Sequence, residues 1–183
     1  MYVKSTKELL ADSFRELAVK KPVSKITVTG IAENCGMTPQ TFYNHFADKY
    51  ALIAWIYSTD MRNGLRSRSE EGWRSALAER VAYFARNRDF ITNALRHTSG
   101  QDAFSRQVAQ THIEAVCEMA RRASGAEQLS EDTVNAIRLY CYGANGFLFV
   151  WLLDNMPLPQ DKVVELLDRC MPEPLRACLA GTP

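Results

Sequence analysis

Apolar side chains recur along this chain at three- and four-residue steps, and no stretch alternates strictly between apolar and polar positions. That period predicts an all-α protein. Leu10, Phe14, Leu17 and Ala18 share one face of a first helix, and Ser5 with Glu8 three residues on has the form of a capping box that starts it. Lys20 and Lys21 suit its negative end, and Pro22 prevents its continuation. A short second helix follows Thr27 as N-cap, with Val28, Ile31, Ala32 and Cys35 in one narrow apolar stripe. Gly36 ends it where a left-handed backbone is usually needed. Thr38 caps a third helix with Pro39 at N1, and Phe42 and Phe46 lie one turn apart on it. Asp48 caps a longer fourth helix running through Leu52, Ile53, Ile56 and Tyr57 toward Arg68.

Further helices are expected at 72–86, 88–97, 102–124, 131–153 and 160–179, separated by Ser99-Gly100, Ser124-Gly125 and Pro157-Leu158-Pro159. The pattern divides the chain into an N-terminal three-helix domain, 1–47, and a larger helical domain, 48–183.

Composition adds little direction. Hydrophobic residues make up 46% and charged residues 23% of 183, a globular balance. The net charge of +1 neither favours nor excludes nucleic acid, and the excess of seven basic over five acidic residues up to position 50 is mild. Cys35, Cys117, Cys141, Cys170 and Cys178 are odd in number and include no C-x-x-C pair, so buried free thiols in a reducing cytoplasm are expected rather than disulfides or zinc. The first residues lack the apolar run of a secretory signal, and the apolar run 139–153 is shorter than an ordinary membrane span. The expectation is therefore a cytoplasmic protein with no membrane association.

Residues 27–46 carry the chemistry. Two short helices joined by a tight glycine turn make a helix-turn-helix. With Phe42 placed inward and about 100° allowed per residue, Pro39 and Phe46 join it on the inner side. Gln40, Thr41, Tyr43 and Asn44 spread over the outer arc, with His45 at its edge. Amide side chains on such a helix can pair with adenine edges, threonine can offer a methyl to thymine, and hydroxyls can reach phosphate. Lys49 sits in the first turn of the fourth helix, where a cation opposes the helix dipole unless a phosphate shares the site.

The string from Ile26 to Ala32, the run Gly36-Met37-Thr38-Pro39-Gln40-Thr41-Phe42-Tyr43-Asn44-His45-Phe46, and then Lys49 and Leu52, resemble the DNA-binding signature of the TetR family of regulators over roughly residues 5–57. The resemblance implies a homodimeric regulator, expected to repress, that reads near-palindromic double-stranded operator DNA. It implies DNA contacts by Thr29, Thr38, Gln40, Thr41, Tyr43, Asn44, His45 and Lys49. Gly30 departs from the family, which often places a polar or basic residue there. Dimerisation through the last two long helices is a family property, which assigns it here to 131–153 and 160–179; Gly143 and Gly146 would allow close approach. The segment Tyr142-Gly143-x-x-Gly146-Phe147 with Trp151 resembles the branch that includes regulators of dihydroxyacetone kinase operons, some of which act with a protein co-regulator.

In the larger domain Trp73, Tyr83, Phe84, Phe90, Phe104, His112 and Met119 are candidates to line an effector pocket, with ordinary core packing as the rival for each. His97 and His112 lack a ligand partner at i+4, no local nucleophile signature marks a serine, and neither metal, cofactor nor enzymatic activity is expected. The alternative is a helical dimeric interaction module that does not read DNA sequence.

Overall fold

The computed structural model describes residues 3–68, 72–97 and 104–180, with residues 62–68 and 97 as backbone only. Among the described residues the secondary structure is helical: α1 (Thr6–Lys20), α2 (Val28–Asn34), α3 (Pro39–Tyr43), α4 (Lys49–Arg68), α5 (Trp73–Arg86), α6 (Arg88–His97), α7 (Phe104–Ser124), α8 (Glu131–Leu153), α9 (Gln160–Arg169) and α10 (Glu173–Leu179). A 3-10 turn at Val23–Lys25 was not foreseen. The expected break at Ser99-Gly100 lies outside the described residues.

The caps are where the sequence placed them. The Ser5 and Glu8 side chains close the capping box reciprocally. Thr27 Oγ1 accepts from the Gly30 amide at 3.1 Å, and Thr38 Oγ1 from the Thr41 amide at 3.2 Å. Asp48 Oδ1 accepts from the amides of Tyr50 and Ala51, each at 2.8 Å. Gly36, at φ +70°, supports a Schellman close to α2, in which the Met37 amide reaches Ala32 O at 2.8 Å and the Gly36 amide reaches Glu33 O at 3.0 Å.

Two elements differ from expectation: the third helix ends at Tyr43, so Phe46 lies beyond its closing turn rather than on it, and the last expected helix is divided. The helix expected over 160–179 is two, because Pro172 lacks an amide hydrogen and disfavours helical geometry at Met171; it serves instead as N-cap of α10. Cys170 lies exposed at this break, and of the five free thiols only Cys141 is buried, so the expectation of buried thiols holds for one. Burial pushes the Cys141 thiol up to about 11.

The chain forms two compact units, one of Met1–Tyr57 with Asp89–Phe104 and one of Ser58–Arg88 with Ser105–Pro183. In the first, α2 packs on α1 and on α3 around fully buried Leu10, Ile31, Phe42, Leu52 and Ile53. Phe104 belongs to this unit and sets its ring edge on Tyr57, with centroids 5.7 Å apart.

In the second unit α5 packs on α9 and α8, and α10 packs on α8. Tyr140 donates its hydroxyl to Leu167 O at 2.8 Å, and the Trp151 indole donates to Leu158 O at 2.9 Å. Arg88 closes the end of α8 by donating to Leu152 O at 2.9 Å and Asn155 Oδ1 at 2.6 Å, where Asn155 and Met156 both have positive φ. α8 is 23 residues long and, by length and composition alone, apolar enough to cross a membrane. It also starts with Glu131 and Asp132 and buries Ile137, Tyr140, Cys141, Ala144, Leu148, Trp151 and Leu152 within its own unit.

Candidate DNA-binding surface

α2 and α3 are too short to persist alone, so tertiary packing holds them. Phe42 is fully buried and its ring meets that of Phe46 at a tilt, with centroids 5.7 Å apart, while Phe46 meets Trp55 at 6.0 Å. Burying a phenylalanine contributes about 1.5–3 kcal/mol, and these rings fix the roll of α3. A polar clamp fixes α2. Ser13, buried in α1, donates to Ile31 O at 2.6 Å and accepts from Asn34 Nδ2 at 3.1 Å; Asn34 also donates to Glu16 Oε2 at 3.0 Å. The clamp joins residues 18 to 21 apart, so helical periodicity gave no sign of it.

With the inner side fixed, the outer side follows. Thr38, Gln40, Tyr43, Asn44 and His45 are exposed, and Thr41 is half-exposed. Tyr43 rests its ring edge on Phe42, with centroids 5.7 Å apart, yet keeps 55% of its surface in solvent. It therefore both packs and presents surface. Gln40 Nε2 donates to Asn44 Oδ1 at 3.1 Å, and the Thr38 and Thr41 hydroxyls lie 3.0 Å apart. The amide pair is one turn long, which holds two hydrogen-bonding groups in register along the helix.

Thr29 is exposed in the first turn of α2. Beside it, a Cβ added at Gly30 would lie 3.2 Å from the capping Thr27 hydroxyl, a tight contact that a small shift of that side chain relieves.

Lys49 is placed differently from the outer residues. It is half-buried, and its ammonium donates to three carbonyls of the preceding turn: Val23 at 3.0 Å, Ser24 at 3.2 Å and Ile26 at 3.0 Å. Desolvation lowers its pKa while the Asp48 carboxylate raises it, with desolvation the larger. The partly negative oxygens of these carbonyls hold the ammonium, so Lys49 ties α4 to the turn leading into Thr27.

The pocket candidates separate. Phe104 belongs to the first unit. In the second unit the Tyr83 hydroxyl donates to Asp60 at 3.1 Å, and Phe84 stacks on Phe149 and meets the His112 ring at a tilt. Trp73, His112 and Met119 come together around a cavity of about 20 Å³ with Ala76, Arg80 and Val116. Trp73 and Met119 also line an adjoining cavity of about 270 Å³ with Arg122, Ala123 and Leu179. Phe90 is half-buried in the first unit. The sequence reading missed Arg80 and Asn145, whose charge and polarity at buried positions only tertiary packing reveals.

Comparison with known proteins agrees with this geometry. Residues 10–56 match the family model for bacterial regulatory proteins of the tetR family, and residues 71–173 match that for a transcriptional regulator C-terminal region. Among curated proteins, the activator of the dhaKLM operon, DhaS, from Lactococcus lactis subsp. lactis (strain IL1403) is 28% identical over 86 residues; that stretch covers 46% of each chain, so the match spans about half the relative's length. Among solved structures, a TetR transcriptional regulator from Rhodococcus sp. RHA1 superposes with a TM-score of 0.72 at 15% identity, covering 96% of both chains. FadR from Thermus thermophilus, a repressor solved in complex with lauroyl-CoA, superposes with a TM-score of 0.64 at 18% identity, covering 97% of this chain and 95% of that one.

Proposed function

We propose, because this chain belongs to the TetR family of bacterial transcriptional regulators, that two copies of it read a near-palindromic operator through α3 and repress the genes beside it. The observation that carries the reading is the outer face of α3 and the turn that ends it, where Gln40, Tyr43, Asn44 and His45 are exposed while Phe42 on the helix and Phe46 just past the turn lock the opposite side. Gln40 and Asn44 read base edges, Tyr43 and His45 reach base or phosphate, and Thr29, Thr38 and Thr41 reach the backbone. Lys49 acts on DNA by holding the turn before Thr27 in place and by adding positive charge near the N-terminus of α4. On this division of labour residues 1–47 read DNA and 48–183 dimerise and respond, in the cytoplasm where the operator lies.

The dimer follows from α8. Leu139, Tyr142, Val150 and Leu153 are exposed, and with exposed Gly143 and Gly146 they fall on one face of the helix. An apolar stripe of this kind on a lone chain marks an interface, and a two-fold axis beside it makes the patch self-complementary. α8 with α9 and α10 forms that face. The signal is a small molecule or a protein partner that binds one spacing of the two heads better than the other.

Selection of bound sites from random duplexes by the purified chain tests the reading. An enriched near-palindrome with half-sites about one helical turn apart is expected. Enrichment of no sequence would support the interaction module instead. Placing the selected site over a promoter gives the sign, with lower output expected.

A further inference from the structure

The interior of the second unit contains a cation without an anion among the described residues. Arg80 is 5% exposed, and its hydrogen bond is to a neutral group: Nη2 donates to Asn145 Oδ1 at 2.6 Å. Among the described residues no carboxylate pairs with it. Buried arginine is ordinarily matched by an acid, because taking a guanidinium out of water is costly without one.

The surrounding groups sharpen the imbalance. Guanidinium can only donate, so Asn145 Oδ1 is the acceptor, and His112 Nδ1, 2.7 Å from the same oxygen, must carry the hydrogen. Burial first, and then the field of Arg80, hold the His112 pKa well below its ordinary value, so this ring adds no second charge. Three donors remain buried without a protein partner here: Arg80 Nε, Asn145 Nδ2 and Trp73 Nε1. Trp73, Arg80 and His112 line the cavity of about 20 Å³, and Trp73 and Met119 are shared with the cavity of about 270 Å³.

We propose that this place is a binding site for a small organic acid, whose carboxylate enters the inner cavity against Arg80 and whose apolar body lies in the outer one between Trp73, Met119 and Leu179. The head is planar and small, since the inner space is of the order of one or two water molecules; a tetrahedral phosphate needs more room. A carboxylate accepts through two oxygens, which matches a donor-rich wall containing one fixed positive charge. The outer cavity is lined by indole, thioether and aliphatic groups, with Arg122 among them. The inference rests on the regulator reading for its purpose, since the ligand would be the signal; the site itself stands on Arg80.

Thermal melts of the full chain at constant ionic strength test it, with sodium benzoate and sodium hexanoate as probes and benzamide and hexanamide as uncharged counterparts. Both carboxylates are expected to raise Tm by about 2 °C or more when well above their Kd, and the amides to leave it unchanged. In Arg80→Met the carboxylate shift should vanish, while the ligand-free protein melts at the same temperature or higher, as when a costly buried charge is replaced by an apolar chain. Equal shifts from acid and amide, no shift from either acid, or a ligand-free Arg80→Met that melts lower would each overturn the proposal. The last would show that the arginine belongs to the core. Operator binding by the unsubstituted chain is read separately: its failure with the carboxylate shift intact would remove the regulator reading and leave the site.

Discussion

The surface around α3 and the body built on α8 treat polar and apolar groups differently. Around α3 the pattern is the ordinary one, with Phe42 and Phe46 inside and Gln40, Tyr43, Asn44 and His45 outside. The unit built on α8 breaks it twice, holding Arg80, His112 and Asn145 inside while leaving Leu139, Tyr142 and Val150 outside. A surface that obeys the rule can wait for its partner in water at no cost. A core or face that breaks it is incomplete by itself. The lesson is that the proposed DNA-reading surface needs nothing further from the single chain, whereas the body's two exceptions are what the proposed second copy outside and the proposed anion inside would complete.

The sharpest break of this comparison is at α3. Gln40→Ala combined with Tyr43→Ala should lower operator affinity by about 1,000-fold or more, since each lost contact costs ~1–3 kcal/mol and a dimer loses each twice. Its Tm should stay near that of the parent, because both side chains are exposed. Next in size is Val150→Glu together with Leu139→Glu on α8. Sedimentation at micromolar concentration should give the monomer mass, and operator affinity should fall with it. A dimer mass would move the interface elsewhere.

Smaller effects test the supports. Ser13→Ala removes the link between α1 and α2 and should cost about 1–3 kcal/mol in urea unfolding, leaving the Ile31 carbonyl and Asn34 short of a partner. Lys49→Ala should cost a comparable amount, where Tyr43→Ala costs little. That contrast separates a lysine that ties the turn from one that only meets phosphate.

The smallest effect is in pH. The folded His112 pKa lies below the unfolded value of about 6.5. Above that pH both states are neutral and the stability is fully present. Below it the unfolded chain takes the proton first, so stability falls with falling pH, by at most about 1.4 kcal/mol per unit from this one group. Urea titrations from pH 7.5 to 5 read it, and His112→Gln should flatten the slope.

How far the sequence reached depends on distance along the chain. Caps at Ser5, Thr27, Thr38 and Asp48, and the left-handed Gly36, lie within a few residues of what they serve, and each was legible. The outer face of α3 was legible because one buried phenylalanine fixes the roll of a short helix. The break at Pro172 was readable in principle, but the apolar positions on either side continue at helical spacing and masked it. Arg80 with Asn145 and His112 was not readable, since those partners are 65 and 33 residues apart and no period connects them. Lys49 was found but its partners were not, because they are backbone carbonyls of an unforeseen turn.

The most direct test of the central claim is fluorescence anisotropy of the DNA upstream of this chain's own gene against a scrambled fragment across a salt series. Tight binding that prefers the native fragment by about a thousandfold or more, weakening linearly in log–log form as salt rises, is the predicted result. Equal and weak binding to both fragments, persisting with the site taken from random selection, would contradict it.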